Sequence, residues 1–257
     1  MKIASWNVNS LRVRLPHVLD WLDKHQPDVL GLQELKMPTE AFPADEIAEL
    51  GYRSVAFGQK TYNGVALLSQ QEPTNVTTGL PNFPDEQRRV IAADYGKVRV
   101  ANLYVPNGQA IGADKFVYKL AWLDALRDWL TAELVANPNI VVMGDFNIAP
   151  ADRDVYDPDQ WRGKILCSDD ERAQLQDIES IGFTDTFRLF DQPDNTFSWW
   201  DYRAAAFRRK RGLRIDLILA SAAMAGLCTT SDVDPEPRKL ERPSDHAPVF
   251  AVFDQTP

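Results

Sequence analysis

Apolar residues recur along this chain in short runs, at 3–6, 29–32, 65–68, 98–104, 140–143, 213–219 and 249–253. Each run has the length of a strand, and several end in a polar, turn-forming knot. Between the runs the apolar spacing changes to that of helices. Leu15, Val18, Leu19 and Leu22 share one face of a helix expected over 15–25. A longer helix is expected over 115–134, with Phe116, Leu120, Leu123, Leu130 and Leu134 as its stripe, widened by Trp122, Leu126 and Trp129. Asn137-Pro138 ends it. A third spans 169–180, with acids in its first turn, where the macrodipole favours negative charge. Asn63-Gly64 ahead of Val65 is a turn signal. Strands outnumber helices, and the helices come at intervals. That is the pattern of packed sheets covered by helices, in an α+β or α/β layered architecture. No repeat, linker or break in composition divides the chain, so residues 1–257 read as one domain.

Composition narrows the class. A chain of 257 residues with 44% hydrophobic and 25% charged residues suits a globular protein, not a disordered, collagenous or coiled-coil one. No apolar run approaches the ~18 residues of a membrane span. The N-terminus turns polar too soon for a signal peptide. Cys167 and Cys228 are too few for a disulfide framework or a cysteine zinc site, and read as reduced thiols of a cytoplasmic protein. The sequon Asn75-Val76-Thr77 is then a chance match. The 28 basic and 37 acidic residues leave a net charge of −9. Taken alone this counts against a nucleic-acid partner, but not against an enzyme that gathers acids around a metal. The distribution matters more than the sum: Phe207-Arg208-Arg209-Lys210-Arg211-Gly212-Leu213-Arg214 holds five basic residues in eight, while acids cluster at Asp152, Asp154, Asp157 and Asp159.

Four polar knots adjoin apolar runs: Trp6-Asn7-Val8-Asn9, Gln33-Glu34, Gly144-Asp145-Phe146-Asn147, and Ser244-Asp245-His246-Ala247-Pro248 before Val249. Taken singly, an Asp or Asn at a strand end is usually a turn or cap residue. Four together are different, because turn chemistry gives no reason for Glu34 to end an apolar strand. Meeting at one sheet edge, they would supply hard oxygen ligands suited to Mg²⁺ or Mn²⁺. Alternation places Asp145 and Asn147 on one side of an extended segment. In the run 213–219, Leu213, Ile215, Leu217 and Leu219 take one face, while Arg214 and Asp216 share the other. Asp216 is either the structural partner of Arg214 or an acid that orients a histidine or the substrate. Of the three histidines, His17 and His25 fall on the first helix, and His246 stands beside Asp245. Trp199-Trp200-Asp201-Tyr202-Arg203 and the basic run from Arg208 interleave aromatic and cationic side chains. Such a mixture suits stacking on bases and neutralising phosphates, or else is core aromatics beside a solvated loop.

Together these motifs resemble the signatures of the exonuclease–endonuclease–phosphatase superfamily. Leu103-Tyr104-Val105-Pro106-Asn107-Gly108, Trp199-Trp200-Asp201-Tyr202-Arg203 and Gly212-Leu213-Arg214-Ile215-Asp216 narrow the likeness to its exonuclease III branch of DNA-repair nucleases and abasic-site endonucleases. The likeness runs from Lys2 to about Phe253. It implies a four-layer α/β/β/α sandwich, with two mixed β-sheets face to face and helices outside. It also implies Mg²⁺, with Mn²⁺ as alternative, and hydrolysis of phosphodiesters and phosphomonoesters at DNA 3′ ends, with incision 5′ to abasic sites left open. The expected partner is double-stranded DNA with 3′ ends, nicks or abasic sites, bound by a monomer.

By position, the resemblance implies that Glu34 binds the metal, with Asn7, Asp145, Asn147 and Asp245 around it. Asp145 matches the acid that activates or orients water, and Asn147 the amide that helps hold it. Tyr104 and His246 match phosphate contacts, with Asp216 the partner of His246 and Asp245 an acid near both metal and histidine. Asn9, which stands where many members carry Asp, and Asn107 match contacts to phosphate and DNA backbone. Trp199, Leu213 and Ile215 match a pocket for a flipped-out abasic sugar. Arg203, Arg208 and Arg209, with Lys210, Arg211 and Arg214, would form one local DNA-facing surface. Leu166, in the stretch Trp161-Arg162-Gly163-Lys164-Ile165-Leu166-Cys167, would narrow the space for an extrahelical sugar. Three other readings remain: a superfamily phosphodiesterase acting on a non-DNA substrate, a non-catalytic nucleic-acid-binding module, and a structural or scaffold protein, which would explain none of the four knots.

Overall fold

The structure, a computed structural model, describes residues 1–254. The chain lays down β1 (Lys2–Asn7), β2 (Val29–Gln33), β3 (Arg53–Phe57) and β4 (Val65–Ser69) as most of one sheet. It then builds a second sheet from β5 (Thr74–Thr78), β6 (Val90–Tyr95), β7 (Val98–Tyr104), β8 (Ile140–Asp145), β9 (Phe183–Asp185) and β10 (Asp216–Ser221). Finally β11 (Cys228–Val233) and β12 (Val249–Phe253) return to complete the first. The six-stranded orders are β11-β12-β1-β2-β4-β3 and β5-β6-β7-β8-β10-β9. In each sheet the middle holds one parallel pair, β1 with β2 and β7 with β8, among antiparallel neighbours. Parallel neighbours need a crossover. α1 (Leu11–His25) supplies the first and α3 (Asp114–Ala136) the second. α2 (Ala44–Ala48), α4 (Pro158–Trp161), α5 (Asp169–Ser180) and α6 (Ala222–Ala225) complete the helices. None is long and apolar enough to cross a membrane among the described residues.

Alternation within the strands makes the four layers. In β8, Val141 and Met143 point into the apolar layer between the sheets, while Ile140 and Val142 point outward to Trp122, Leu123 and Leu126 of α3. In β1, Ile3 faces the inter-sheet layer, while Ala4 and Trp6 face Val18, Trp21 and Leu22 of α1. Both faces of each central strand are covered, which is why these runs read as continuous rather than alternating apolar sequence. The expected sandwich is therefore the observed one. α5 starts at a capping box, where Ser168 Oγ accepts from the Glu171 N–H and Glu171 accepts from the Ser168 N–H. α1 ends at Gln26, left-handed at φ 44°, before Pro27.

Several expectations shift in detail. α1 begins at Leu11 rather than near residue 15, because Ser10 and Leu11 already donate to the carbonyls of Glu34 and Leu35. On α3 the buried stripe is Phe116, Lys119, Trp122, Leu123, Leu126, Trp129 and Leu130, and Leu120 and Leu134 lie only half-buried. Asn63 and Gly64, at φ 54° and 90°, close a longer loop between β3 and β4, not a two-residue hairpin. The run 213–219 is not one strand. β10 starts at Asp216, and Leu213 instead bridges Trp199 and Val155. Leu213 and Ile215 pack with Ala149, Val155, Leu166 and Cys167, whereas Leu217 and Leu219 pack under α3 and α5.

Candidate active site

The strand ends that carry the polar knots meet at one edge of the sandwich. β1 and β2 stop in register, Asn7 beside Gln33, so Glu34 follows at once. Across the second sheet Tyr104, Asp145 and Asp216 stand side by side on β7, β8 and β10. The chain before β12 brings His246 against Trp199. Gly144, at φ 149°, leads into this edge, and a Cβ there would strike the Leu103 carbonyl, so only glycine lets β8 lie this close to β7. Asn9, Ser10, Glu34, Lys36 and Asn147 all take left-handed backbone, with φ of 44°, 90°, 53°, 54° and 51°. Such strain persists only where surrounding contacts over-determine it.

The side chains form one hydrogen-bonded cluster. Asn7 Nδ2 donates to Glu34 Oε1 at 3.0 Å and to Asp145 Oδ2 at 2.8 Å. The Asn147 N–H donates to Asp145 Oδ1 at 2.9 Å. His246 Nδ1 lies 2.9 Å from Asp216 Oδ2, and its Nε2 lies 3.8 Å from Asp145 Oδ2. Burial works to lower the His246 pKa, but Asp216 and Asp145 outweigh it and push the ring up to about 10. The shift favours the imidazolium form, in which Nδ1 donates to Asp216. Burial raises the Asp145 carboxyl above the usual carboxylate range; Asp216 and Glu34 add to the rise, while His246 and Asn7 oppose it. Tyr104 rises well above the ordinary phenol value, through burial and then Glu34 and Asp145, so it stays a hydroxyl donor. Burial would raise Asp245 too, but His246 with the N–H groups of Asn9 and Trp199 holds it below the usual range.

Glu34, Asp145 and His246 offer ligand atoms within 4.8 Å of one another. Glu34 and Asp145 supply the oxygens of that group, and Asn7 Nδ2 donates to both of them. This hard donor set fits a divalent cation of the Mg²⁺ or Mn²⁺ type.

Other expected residues lie elsewhere. Asp245 is outside the metal group, because its oxygens accept from Asn9 Nδ2 at 2.8 Å and Trp199 Nε1 at 3.1 Å. Asn147 Oδ1 accepts from Asn107 Nδ2, and its Nδ2 donates to the Val105 carbonyl. It meets Asp145 through a left-handed turn, not through strand alternation. Asp216 faces His246, and Arg214 pairs instead with Asp154 and Asp185. Arg214 is buried and leaves the basic surface, whereas Arg203, Arg208, Arg209, Lys210 and Arg211 are exposed. Trp200 is buried against Phe207, so only its neighbours remain for stacking. Leu213 and Ile215 have 0% and 1% of their surface exposed, so they form the floor of a closed cluster, not an open pocket. Leu166, at φ 71°, is buried in that cluster, with Trp199 packed against it.

Sequence reasoning missed Lys36, whose Nζ sits 2.9 Å from Glu34 Oε2 and 2.5 Å from Asn9 Oδ1. Its place two residues after Glu34 was the available signal. It also missed Arg89, which stacks over the Tyr104 ring at 4.6 Å and donates to the Tyr104 carbonyl. Arg89 and Tyr104 form part of the wall of a cleft of about 710 Å³ that includes Asn107 and Lys115.

Residues 4–246 match the Endonuclease/Exonuclease/phosphatase family. The chain belongs to that family. Within it, the chain is 41% identical to exodeoxyribonuclease III of Haemophilus influenzae, over 98% of this chain and 100% of that one. It is 34% identical to the DNA repair nuclease APEX1 of Danio rerio, over 97% and 81%. The structure superposes on a 3′ phosphatase from Neisseria, NExo, bound to product DNA hairpin, with TM-score 0.97, 50% identity and 99% of each chain covered. An AP endonuclease from Archaeoglobus fulgidus matches at TM-score 0.95 and 38% identity, again over 99% of each. This family member is thus a hydrolytic nuclease of the exonuclease III and AP endonuclease branch.

Proposed function

We propose that the protein is a Mg²⁺-dependent DNA-repair nuclease that hydrolyses phosphodiesters and phosphomonoesters at the 3′ ends of duplex DNA. The observation that carries this is the Asp145 carboxylate, held by Asn7 and Asn147 between Glu34 and the Asp216–His246 pair. A Mg²⁺ held by Glu34 and Asp145, with Asn7 beside them, would polarise the phosphate and support the leaving 3′ oxygen. Asp145 orients the attacking water and takes its proton. The His246 imidazolium and the Tyr104 hydroxyl donate to the non-bridging oxygens, where charge builds in the transition state. Asp216 keeps His246 charged and turned toward Asp145. Asp245 acts one step away, fixing Asn9 and Trp199 where the DNA backbone would pass.

Arg203, Arg208 and Arg209, with Asn9 and Asn107, would hold the phosphates of double-stranded DNA. Leu166 is buried in the same closed cluster as Leu213 and Ile215. An extrahelical sugar would reach them only by displacing it, so 3′-end processing should exceed incision at internal abasic sites. The proposed working form is a cytoplasmic monomer. The test compares two duplexes with Mg²⁺, Mn²⁺ or EDTA. One carries an internal abasic site, the other a nick with a 3′-phosphate. Metal-dependent release of phosphate from the second, faster than cutting of the first, supports the reading. Metal-dependent activity on phospholipid or inositol-phosphate headgroups and none on DNA would replace it with a non-DNA phosphodiesterase.

A further inference from the structure

One buried ion pair outside the reacting cluster ties together the Asn107, Asn147 and Leu166 loops. Lys119 and Glu171 are each 0% exposed, and Lys119 Nζ lies 2.5 Å from Glu171 Oε1. Lys119 stands on the apolar stripe of α3, between Phe116 and Trp122. Its remaining N–H bonds go to two carbonyls, that of Asn147 at 2.7 Å and that of Asn107 at 3.3 Å. Glu171 accepts from the N–H of Leu166 at 3.1 Å and from the N–H and hydroxyl of Ser168 at 3.1 and 2.6 Å. Gly108 presses on the same spot. It sits at φ 89°, and a Cβ there would lie 3.1 Å from Lys119 Cδ and 2.9 Å from Ile165 Cδ1.

Burying two full charges is costly, and an apolar pair at this place would give a stable core more simply. What the charges supply is direction. Lys119 has three donors, and Glu171 and the two carbonyls take all of them. Two of the segments so tied, at Asn147 and Leu166, hold non-glycine residues in left-handed backbone at φ 51° and 71°. Asn147 and Asn107 are further joined to each other by a 3.0 Å bond, and Asn147 holds Asp145.

We propose that Lys119 and Glu171 are positioning residues that lock the Asp145–Asn147 turn to the Asn107 loop and the Leu166 loop, and so set both turnover and the choice between internal and terminal sites. The proposal rests on the nuclease reading for its activity readouts only. Two double variants isolate the effect without leaving a lone buried charge. Lys119→Gln with Glu171→Gln keeps a donor toward the Asn147 carbonyl, and Lys119→Met with Glu171→Gln does not. Turnover is measured on the nicked 3′-phosphate duplex and on the internal abasic site. DNA affinity is measured in EDTA, and amide exchange is followed over 145–149 and 164–168.

The Met-containing variant should lose about 30-fold or more in kcat, the scale on which a displaced catalytic group costs rate, with DNA affinity within about threefold. Its ratio of abasic-site to 3′-end cutting should rise as the Leu166 loop loosens. Its amides in both segments should exchange about tenfold faster. The variant with Lys119→Gln should stay within about fivefold of the parent on all counts. Equal loss in both variants, or a loss confined to DNA affinity, would overturn the positioning role. If the parent protein cuts neither duplex, the nuclease reading falls. The lock then stands or falls on amide exchange, and exchange unchanged in the Met-containing variant refutes it.

Discussion

Replacing Asp145 with Asn separates chemistry from binding more cleanly than any other change at this site. Asp145 is 1% exposed and accepts from Asn7 Nδ2 and from the backbone and side chain of Asn147. An Asn at 145 has the same shape, but it cannot take a proton, and its amide hydrogens would face donors on Asn7 and Asn147. Loss of a general base typically costs ~10²–10⁴-fold in rate. With the water also misoriented, kcat should fall at least ~10³-fold, which is about 4 kcal/mol of transition-state stabilisation. In metal-free protein the neutral amide escapes the burial penalty and the repulsion from Asp216 and Glu34, but loses the attraction of His246 and the bonds from Asn7 and Asn147, so thermal stability should change far less than kcat. DNA affinity in EDTA should be kept or rise, because one negative charge leaves the phosphate site. The assay is single-turnover phosphate release from a nicked 3′-phosphate duplex at saturating enzyme, with fluorescence anisotropy for affinity and thermal melting for stability. Turnover within about tenfold of the parent would refute the role given to Asp145. A matching collapse in DNA affinity would show instead that the residue organises binding.

Three further outcomes can be checked. Leu166→Gly should relieve a left-handed residue and open the cluster over Leu213 and Ile215, so incision at an internal abasic site should rise more than 3′-end hydrolysis; an equal change in both rules this out. Removing Arg208 and Arg209 should weaken DNA binding and flatten its dependence on log salt by about one unit for each phosphate no longer neutralised, and an unchanged slope would mean that the exposed run does not touch DNA. The His246 pKa is raised above its unfolded value, so the stability it confers is present in full below about pH 6.5 and is lost as pH rises through about 10. Denaturant titration in EDTA should therefore show the parent losing a few kcal/mol over that window and His246→Gln losing much less; parallel curves would contradict the Asp216–His246 pairing.

By itself the sequence determined what depends on local pattern. The seven apolar runs lie on observed strands, save that residues 213–215 precede β10, because a strand covered on both faces must be apolar throughout. α5 was legible to the residue, since the acids of its first turn are written in consecutive positions. The four polar knots were legible as chemistry, because carboxylates and amides at the ends of apolar strands have no packing reason to be there. Only the tertiary structure decided which groups meet. Arg214 and Asp216 lie two apart, yet one reaches Asp154 and Asp185 and the other His246. Asp245 and His246 are adjacent, yet Asp245 turns to Asn9 and Trp199 while His246 turns to Asp216 and Asp145. Asp245 and His246, as neighbours, point to opposite sides of an extended chain, whereas Arg214 and Asp216 part because regular strand begins only at Asp216; in both cases the partners come from segments far away in sequence. Lys119 shows the limit most plainly. A lysine on an apolar helical stripe signals a buried charge, but the partner that makes its burial tolerable, Glu171, and the two carbonyls it holds come from three other segments.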